Sequence, residues 1–192
     1  MTAVPDAIDR RFRDAAATAG LLDVSYDVTE TPVGPLFVAV TARGLCRISY
    51  DPQPERLAEE LARSFGARVL RAPKALDPVV RELDEYFEGR RRSFDLPVDL
   101  RGRADFSRVV LEHLARVPFG QVTTYGALAA RAGRPRAARA VGTVMNRNPI
   151  PIVLPCHRVV GASGNLVGYG GGLDRKRLLL DLERADLRLD ID

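Results

Sequence analysis

Hydrophobic and polar residues alternate along residues 24–50, VSYDVTETPVGPLFVAVTARGLCRISY, and this stretch is rich in Val, Tyr, Thr and Ile. Breaks at residues 32–35 and at Arg43-Gly44 divide the stretch into three segments. Alternation with a period of two is typical of strands that bury one face. The pattern therefore predicts three antiparallel strands.

Helical spacing replaces this alternation on both sides of the strands. Residues 5–19 predict a short amphipathic helix that ends near Gly20. Residues 54–66 and 77–89 predict two more helices, and each ends at a glycine, a residue that is common after the last helical turn. Residues 90–103 combine charge, two breakers and little helical period, and they predict a strand followed by a linker.

Beyond residue 100 the pattern is mainly helical, which predicts a domain boundary there. One helix is predicted from Phe106, with Asp105 as its candidate cap. A second runs from about Thr124 to Ala132. After a tight turn that contains Gly133 and Pro135, a third helix is predicted over residues 136–146. The last two form a candidate helix–turn–helix pair, a motif that is common in DNA-binding proteins but also occurs in plain helical hairpins.

The chain then returns to apolar and glycine-rich segments. The helix stops at Asn148-Pro149, and a short apolar segment leads to Cys156. A glycine-rich loop follows over residues 161–172. The last predicted helix covers residues 173–185 and carries Glu183. No internal repeat is present.

Charge is distributed unevenly along this pattern. The net charge is +4, yet residues 1–100 carry 14 Lys and Arg against 17 Asp and Glu, while residues 101–158 carry 10 against 2. A local basic excess of this kind favours a polyanionic partner such as nucleic acid. An arginine-rich surface that only keeps the protein in solution is the alternative.

The composition of the second helix of the pair changes the expected DNA contact. Ala137, Val141, Val144 and Met145 share one face and are predicted to be core, whereas the other side presents the residues Ala138, Arg139 and Gly142. A helix that recognises bases in the major groove usually exposes several polar side chains. One long cation among small residues is better suited to inserting into the duplex from the minor groove, with little sequence preference.

Cys156 and His157 are adjacent, in a chain that has only two cysteines and two histidines. A thiol becomes a good nucleophile as a thiolate, which a base oriented by a third group can generate. Neighbouring side chains of an extended segment point to opposite faces, so a direct contact needs a turn at this point. A relay from Cys156 through water to His157 and Glu183 needs no such contact.

Other protein classes are disfavoured by composition. Cys46 and Cys156 are too few for a disulfide framework, and a zinc site built from Cys and His is not expected. No apolar run approaches a membrane span, and the N-terminus lacks the apolar core of a signal peptide. We therefore expect a cytoplasmic protein with no cofactor and no membrane partner.

The segment PCHRVVG, preceded by GTVMNRNPIPIVL and followed by NLVGYGGGL, resembles the O6-alkylguanine-DNA alkyltransferases. The resemblance is dense from about residue 106 to 183 and looser over SYDVTETPVGPLFVAV. It implies an α/β N-terminal domain over residues 23–100, a small antiparallel sheet with helices that is ribonuclease-H-like. A mainly α, winged-helix-like domain with the helix–turn–helix covers residues 101–192, and residues 1–22 form a helical extension.

The resemblance also implies a reaction and a set of residues for it. Alkyl groups on O6 of guanine, and on O4 of thymine, would be transferred once and irreversibly to a cysteine after the base is flipped out through the minor groove. The implied acceptor is Cys156, with His157 as base, Glu183 as its partner, Asn148 as a brace and Tyr125 as the proton donor to the leaving guanine. The implied walls of the base pocket are the carbonyl groups of Cys156 and Val159, together with Tyr169 and Gly170.

The resemblance further implies a DNA surface and a partner. Arg139 would fill the gap left by the flipped base, and the other implied DNA contacts are Ser107, Thr124, Gly126, Arg134, Ala138 and Gly142. The expected partner is double-stranded DNA containing O6-alkylguanine. We expect a monomer without zinc, which could also cluster on DNA.

One residue departs from the family pattern. Many relatives have serine at the position of Gly170, so we expect a more open pocket wall and tolerance for alkyl groups bulkier than methyl.

Three alternatives remain: a protein that binds alkylated DNA without repairing it, a helix–turn–helix regulator with a structural cysteine, and a cysteine hydrolase. The presence of Cys156, the alanine-rich second helix and the adjacency of Cys and His count against them in turn.

Overall fold

The computed structural model describes residues 6–183 and divides them into two compact units. The first unit contains the described residues up to Glu85 together with Asp95–Asp99. The second contains Tyr86–Phe94 and the described residues from Leu100 onward. The chain therefore enters the second unit at the end of a helix, returns briefly to the first, and then stays in the second.

The first unit is built on a four-stranded sheet with the order β3-β2-β1-β4. The strands β1 (Val24–Thr29), β2 (Leu36–Thr41) and β3 (Gly44–Ser49) pair antiparallel, as the alternation predicts. The short strand β4 (Val69–Arg71) pairs parallel to β1. The sheet is therefore mixed and not purely antiparallel as predicted. The strand that makes the difference, β4, is too short for its residues to show an alternating pattern.

Three helices belong to this part of the chain: α1 (Asp6–Thr18), α2 (Pro54–Phe65) and α3 (Asp77–Phe87). They lie where helical spacing predicts them. The core cluster of the sheet and α2 consists of Val24, Phe37, Ala39, Cys46, Leu57 and Leu61. The last two residues of α3 belong to the second unit.

Residues 90–103 do not form the predicted strand. Their only sheet-like pairing among the described residues is an isolated bridge between Val98 and Leu45. The amide of Leu45 donates to the carbonyl of Pro97 at 2.8 Å, and the amide of Asp99 donates to Leu45 at 2.8 Å. Pro97 cannot donate to a ladder, so the pairing stops after one residue. At Gly44 a Cβ would lie 2.1 Å from the Pro97 oxygen, so this approach requires glycine.

The second unit contains four helices among its described residues: α4 (Asp105–Ala115), α5 (Tyr125–Arg131), α6 (Ala138–Asn146) and α7 (Leu173–Leu182). A short parallel pair joins β5 (Thr123–Thr124) to β6 (Val159–Val160). The helix–turn–helix pair is α5 and α6. Val141, Val144 and Met145 are buried, as predicted, while Ala137 is only half-buried.

Three helix boundaries differ from the predictions. Asp105 lies inside α4, and the residue at the cap position is Ala104. Helix α6 begins at Ala138, two residues later than predicted, because the amide of Ala137 still belongs to the preceding turn, where it donates to Arg134. Helix α7 ends before Glu183, which caps its C-terminus.

Candidate active site

Cys156 begins a single 3-10 turn, Cys156–Arg158, and all three residues of the turn are buried. The amide of Cys156 donates to Leu154 at 2.8 Å, and the amide of Arg158 donates to Pro155 at 2.9 Å. The segment is thus turned rather than extended. Adjacent side chains in a turn are not forced onto opposite faces, so both Cys156 and His157 can be directed into the interior.

Asn148 braces the loop that leads to this turn. Its side-chain Nδ2 donates to the carbonyl of Leu154 at 2.8 Å, and its Oδ1 accepts from the amide of Ile150 at 3.1 Å. One side chain therefore fixes both ends of the apolar segment predicted before Cys156. That segment contains Ile152 at a φ of 75°, a left-handed conformation that is strained for a β-branched residue and needs such support.

Glu183 accepts hydrogen bonds from four residues. Its Oε1 accepts from His157 Nε2 at 2.8 Å, Arg158 Nη2 at 2.8 Å and the Tyr86 hydroxyl at 2.7 Å. Its Oε2 accepts from Arg158 Nε at 2.9 Å and from the Gly120 amide at 3.3 Å. Burial alone would raise the pKa of Glu183, but its hydrogen bonds to His157 and Arg158 and the positive charge of Arg158 lower it to about 2. The carboxylate is therefore ionised.

This carboxylate determines the tautomer of His157. An ionised carboxylate only accepts, so Nε2 of the imidazole must carry the proton that it shares with Glu183. Burial lowers the pKa of His157 more strongly than Glu183 raises it, so the ring is neutral and its Nδ1 has a free lone pair. Nδ1 is buried and has no hydrogen-bond partner within residues 6–183. It is the atom that can act as a base.

The Cys156 thiol is buried beside groups that favour its ionised form. Burial raises the pKa of the thiol, while hydrogen bonding from Asn148, the positive charge of Lys176 and hydrogen bonding from Tyr169 lower it. Lys176 is itself fully buried, and its Nζ donates to the carbonyls of Val159 at 2.6 Å and Val167 at 2.9 Å. Burial lowers the pKa of Lys176 to about 8, against the opposing effect of Cys156.

A cavity of about 280 Å³ opens beside the thiol. Cys156 lies in its wall together with Tyr125, Tyr169 and Gly170, three of the residues expected to surround a base. The remaining lining residues are Gly142, Met145, Asn146 and Gly168. Two aromatic rings, a thiol and small residues around one cavity suit the stacking of a single planar base next to a nucleophile.

Comparison with known families agrees with this geometry. The model of the 6-O-methylguanine DNA methyltransferase ribonuclease-like domain matches residues 24–100, and that of the DNA-binding domain of the same proteins matches residues 105–185. The chain belongs to the 6-O-methylguanine DNA methyltransferase family. Family membership confirms the resemblance and the class of enzyme, which transfers methyl groups from DNA to a protein cysteine.

Individual relatives cover most of the chain. A methylated-DNA–protein-cysteine methyltransferase of Methanosarcina barkeri is 40% identical over 85% of this chain and 99% of its own length. The crystal structure of the Mycobacterium tuberculosis O6-methylguanine methyltransferase has a TM-score of 0.72 at 40% identity and covers 88% of this chain and 96% of that one. The M. tuberculosis protein OGT in complex with DNA has a TM-score of 0.73 at 41% identity, over 83% and 92%.

Membership in this family makes DNA a partner, and the structure locates the residues expected to contact it. Arg139 is exposed on α6, and its neighbours Ala138 and Gly142 are half-buried. Thr124 caps α5 by accepting from the amide of Ala127 at 3.1 Å, and Gly126 is exposed in the first turn of that helix.

The remaining two expected DNA contacts lie away from the base cavity. The guanidinium of Arg134 lies 5.0 Å from the ring centroid of Phe106, a cation–π contact that holds the arginine near the start of α4. Ser107 lines a second cavity of about 220 Å³ between α4 and α6. These residues are therefore not part of the cluster around Cys156.

Sequence reasoning missed three charged or polar members of the site. Arg158 follows His157 directly, and an arginine in an apolar segment is a signal for a buried carboxylate. Lys176 and Tyr86 give no such signal, because each lies on a helix where a polar residue is ordinary. Their roles depend on packing that only the fold reveals.

Two absences concern only the part of the chain that the structure describes. Between residues 6 and 183 no helix is long and apolar enough to cross a membrane. In the same range, no three side chains among His, Cys, Asp and Glu are grouped so that they could hold a metal ion.

Below pH 8, Lys176→Met should lower the thiolate fraction of Cys156, because it removes the cation that favours the thiolate. The contribution of Lys176 is present below its own pKa of about 8 and fades as the pH rises through that value. The rate of thiol alkylation by iodoacetamide at neutral pH, in a Cys46→Ala background, reports the thiolate fraction and should fall. Lys74→Met is the matched control, since the only other lysine is exposed and ion-paired with Asp14. An unchanged alkylation rate in Lys176→Met would contradict the prediction.

Proposed function

We propose that this protein repairs DNA by accepting the alkyl group of O6-alkylguanine on the sulfur of Cys156, once per molecule. The observation that carries the proposal is the buried series of Cys156, His157 with a free Nδ1, and ionised Glu183, at one wall of a base-sized cavity. A cavity of about 280 Å³ lies near the lower end of ligand pockets, roughly 300–1,000 Å³, which suits one base.

The proposed step is an in-line displacement. The sulfur–carbon bond forms while the bond between carbon and O6 breaks, and the thiol proton passes through a water molecule to Nδ1 of His157. The leaving guanine takes a proton from the hydroxyl of Tyr125, which later recovers the proton held by His157. Burial raises the pKa of Tyr125, and the charge of Cys156 acts in the same direction, so the phenol keeps its proton until the base needs it.

Once formed, the product is a thioether. A carbon–sulfur bond to an alkyl group is not reversed by thiol exchange, and Cys46 belongs to the other unit of the chain. Each molecule is therefore expected to react a single time. "Enzyme" in this case means a stoichiometric acceptor.

Base flipping through the minor groove is the proposed way of reaching the lesion. Arg139 is the long exposed cation of α6, and small neighbours let the helix approach the duplex closely. At Gly142 a Cβ would lie 4.0 Å from the ring of Tyr125, so this part of α6 sits directly against the cavity wall. An arginine inserted at this helix would thus lie next to the pocket that receives the base.

Intact-protein mass spectrometry tests the proposal. After incubation with a duplex containing O6-methylguanine, the protein should gain one methyl group, saturate at one per molecule and carry it on Cys156. Cys156→Ala and an undamaged duplex are the controls. A protein that binds the lesion without any gain in mass would be a damage-binding protein, and the proposal would be wrong.

The proposed substrate range extends beyond methyl. At Gly170 a Cβ would have only the carbonyl oxygen of Asn146 nearby, at 3.7 Å, so the wall has room where a side chain would otherwise stand. We expect O6-benzylguanine and O6-methylguanine in duplex DNA to react at similar rates, and Gly170→Ser to slow the benzyl reaction more than the methyl reaction. Single-turnover rates with both adducts measure this, and a strong preference of the wild type for methyl would contradict it.

O4-alkylthymine is proposed as a second substrate, because Tyr125 and Tyr169 offer ring faces that stack on either type of base. We also propose a cytoplasmic monomer that needs neither zinc nor another cofactor. Sedimentation of the purified protein and its metal content test the last two statements.

A further inference from the structure

Tyr86 contacts the centre of the site from a distant part of the sequence. It is the last residue but one of α3, groups with the second unit and has no exposed surface. Its hydroxyl donates to Oε1 of Glu183 at 2.7 Å, across a separation of 97 residues. Oε1 is the same oxygen that accepts the Nε2 proton of His157 at 2.8 Å.

The hydroxyl is held in place by its own ring. The Tyr86 ring centroid lies 5.3 Å from those of Phe87 and Phe94 and 6.1 Å from that of Phe119. Aromatic rings packed at these distances favour a fixed relative orientation. The donor is therefore directed at Oε1 without the conformational freedom of a surface tyrosine.

Arg158 and Tyr86 hold the carboxylate from different elements. The fork of Arg158 binds both oxygens of Glu183, and its Nη1 donates to the carbonyl of Val117 at 2.6 Å. A bidentate fork of this kind gives the carboxylate a defined geometry. Tyr86 adds a neutral donor on Oε1, the oxygen that also accepts from His157.

We propose that Tyr86 is a positioning residue for alkyl transfer, which holds Oε1 of Glu183 where it orients His157. The expected effect on the transfer rate rests on the proposed function, whereas the hydrogen bond between Tyr86 and Glu183 does not depend on it. Nothing in the motif around Cys156 points to this tyrosine. Its part in the reaction is to keep Nδ1 of the imidazole directed toward the thiol.

Tyr86→Phe removes the hydroxyl and keeps the ring. We expect the single-turnover rate of methyl transfer to fall about tenfold, by analogy with metal-ligating histidines, where loss of an outer partner costs about 10–100-fold. DNA affinity should be unchanged, because the hydroxyl is buried away from any partner. Tyr26→Phe is the matched control, since it deletes the hydroxyl of a tyrosine stacked on Phe37 in the other unit.

Nuclear magnetic resonance gives a readout that does not need activity. The chain has only two histidines, His113 and His157, so ¹⁵N-histidine labelling yields two side chains, which His113→Gln assigns. In Tyr86→Phe the Nε2 proton of His157 should move upfield and exchange faster with water, as its bond to Glu183 lengthens. The resonances of His113 should stay in place.

A packing variant separates positioning from plain structure. Phe37→Leu opens the core of the other unit and leaves the ring cluster around Tyr86 intact, so it should lower the melting temperature while leaving the His157 resonances unchanged. Wild-type rate in Tyr86→Phe, or a slowed reaction with unchanged His157 resonances, overturns the inference. If the wild type transfers no methyl group, the proposed function fails, and the resonances of His157 still decide whether Tyr86 positions it.

Discussion

Glu183→Gln should destabilise the fold by about 3–5 kcal/mol and remove most alkyl transfer. The side chain of Arg158 is 7% exposed and that of Glu183 is 0% exposed, so the substitution leaves a buried guanidinium without its counter-charge. The glutamine amide can either accept from or donate to the imidazole, so the tautomer of His157 is no longer fixed. Chemical denaturation measures the first effect, and single-turnover methyl transfer under conditions where the variant is folded measures the second.

The pH dependence of stability should change as well. The pKa of Glu183 falls from 4.5 to about 2 on folding, so its contribution to stability is fully present above pH 4.5 and is lost as the pH falls toward 2. Glu183→Gln cannot show that acid-dependent loss. The difference in unfolding free energy between wild type and variant should therefore shrink across this window.

Two comparison variants make the result specific. Glu60→Gln changes a carboxylate whose side chain is 38% exposed and pairs with Arg56 at 2.7 Å and Arg47 at 3.4 Å, and surface pairs contribute about 0–1 kcal/mol each. The double variant Glu183→Gln with Arg158→Met removes both charges, and it should recover stability without recovering transfer. If the single variant were as stable as Glu60→Gln, the buried ion pair would not be what holds this part of the site.

Arg139→Ala should slow repair of duplex DNA by roughly 100-fold. Flipping a base costs a few kcal/mol, and each 1.4 kcal/mol that the inserted side chain no longer supplies corresponds to a factor of ten. The free base O6-benzylguanine needs no flipping, so its reaction with Cys156 should be unaffected. Rates on the two substrates, measured side by side, give the effect as a ratio.

Arg136→Ala serves as the matched control for charge. Arg136 is exposed just before α6, so its loss removes a positive charge near Arg139 without removing the inserted side chain. This variant should bind DNA more weakly at high salt but react normally once DNA is saturating. An equal loss on duplex and free base for Arg139→Ala would mean that this arginine acts inside the cavity.

Local patterns were enough to predict most of the elements and to single out Cys156, His157 and Glu183 as candidates, whereas Asn148 was named only through the family resemblance. Cys156, His157 and Asn148 lie within one short segment, and Glu183 lies at the end of the next predicted helix. The alternation that predicts β1, β2 and β3 is long enough to have a period. Strand β4 has only three residues, too few to show a period, so its parallel pairing with β1 was not predictable.

Contacts between distant segments could not be predicted in the same way. The pattern gives α3 correctly, but nothing in a helix sequence shows that Tyr86 faces a carboxylate 97 positions away. Lys176 on α7 would ordinarily be taken as a solvated cation, yet it is fully buried because two backbone carbonyls accept from it. The strand predicted within residues 90–103 does not form. Pro97 has no amide hydrogen, so the pairing with Leu45 ends after one residue.

The two tyrosines that line the cavity also allow the site to be monitored by intrinsic fluorescence. The chain has no tryptophan, so its intrinsic emission comes from five tyrosines, and Tyr125 and Tyr169 are two of them. A base that enters the cavity as proposed would lie beside both rings and should quench their emission, while Tyr26, in the other unit, provides an internal reference. Binding and release of the base can then be followed in the unlabelled protein.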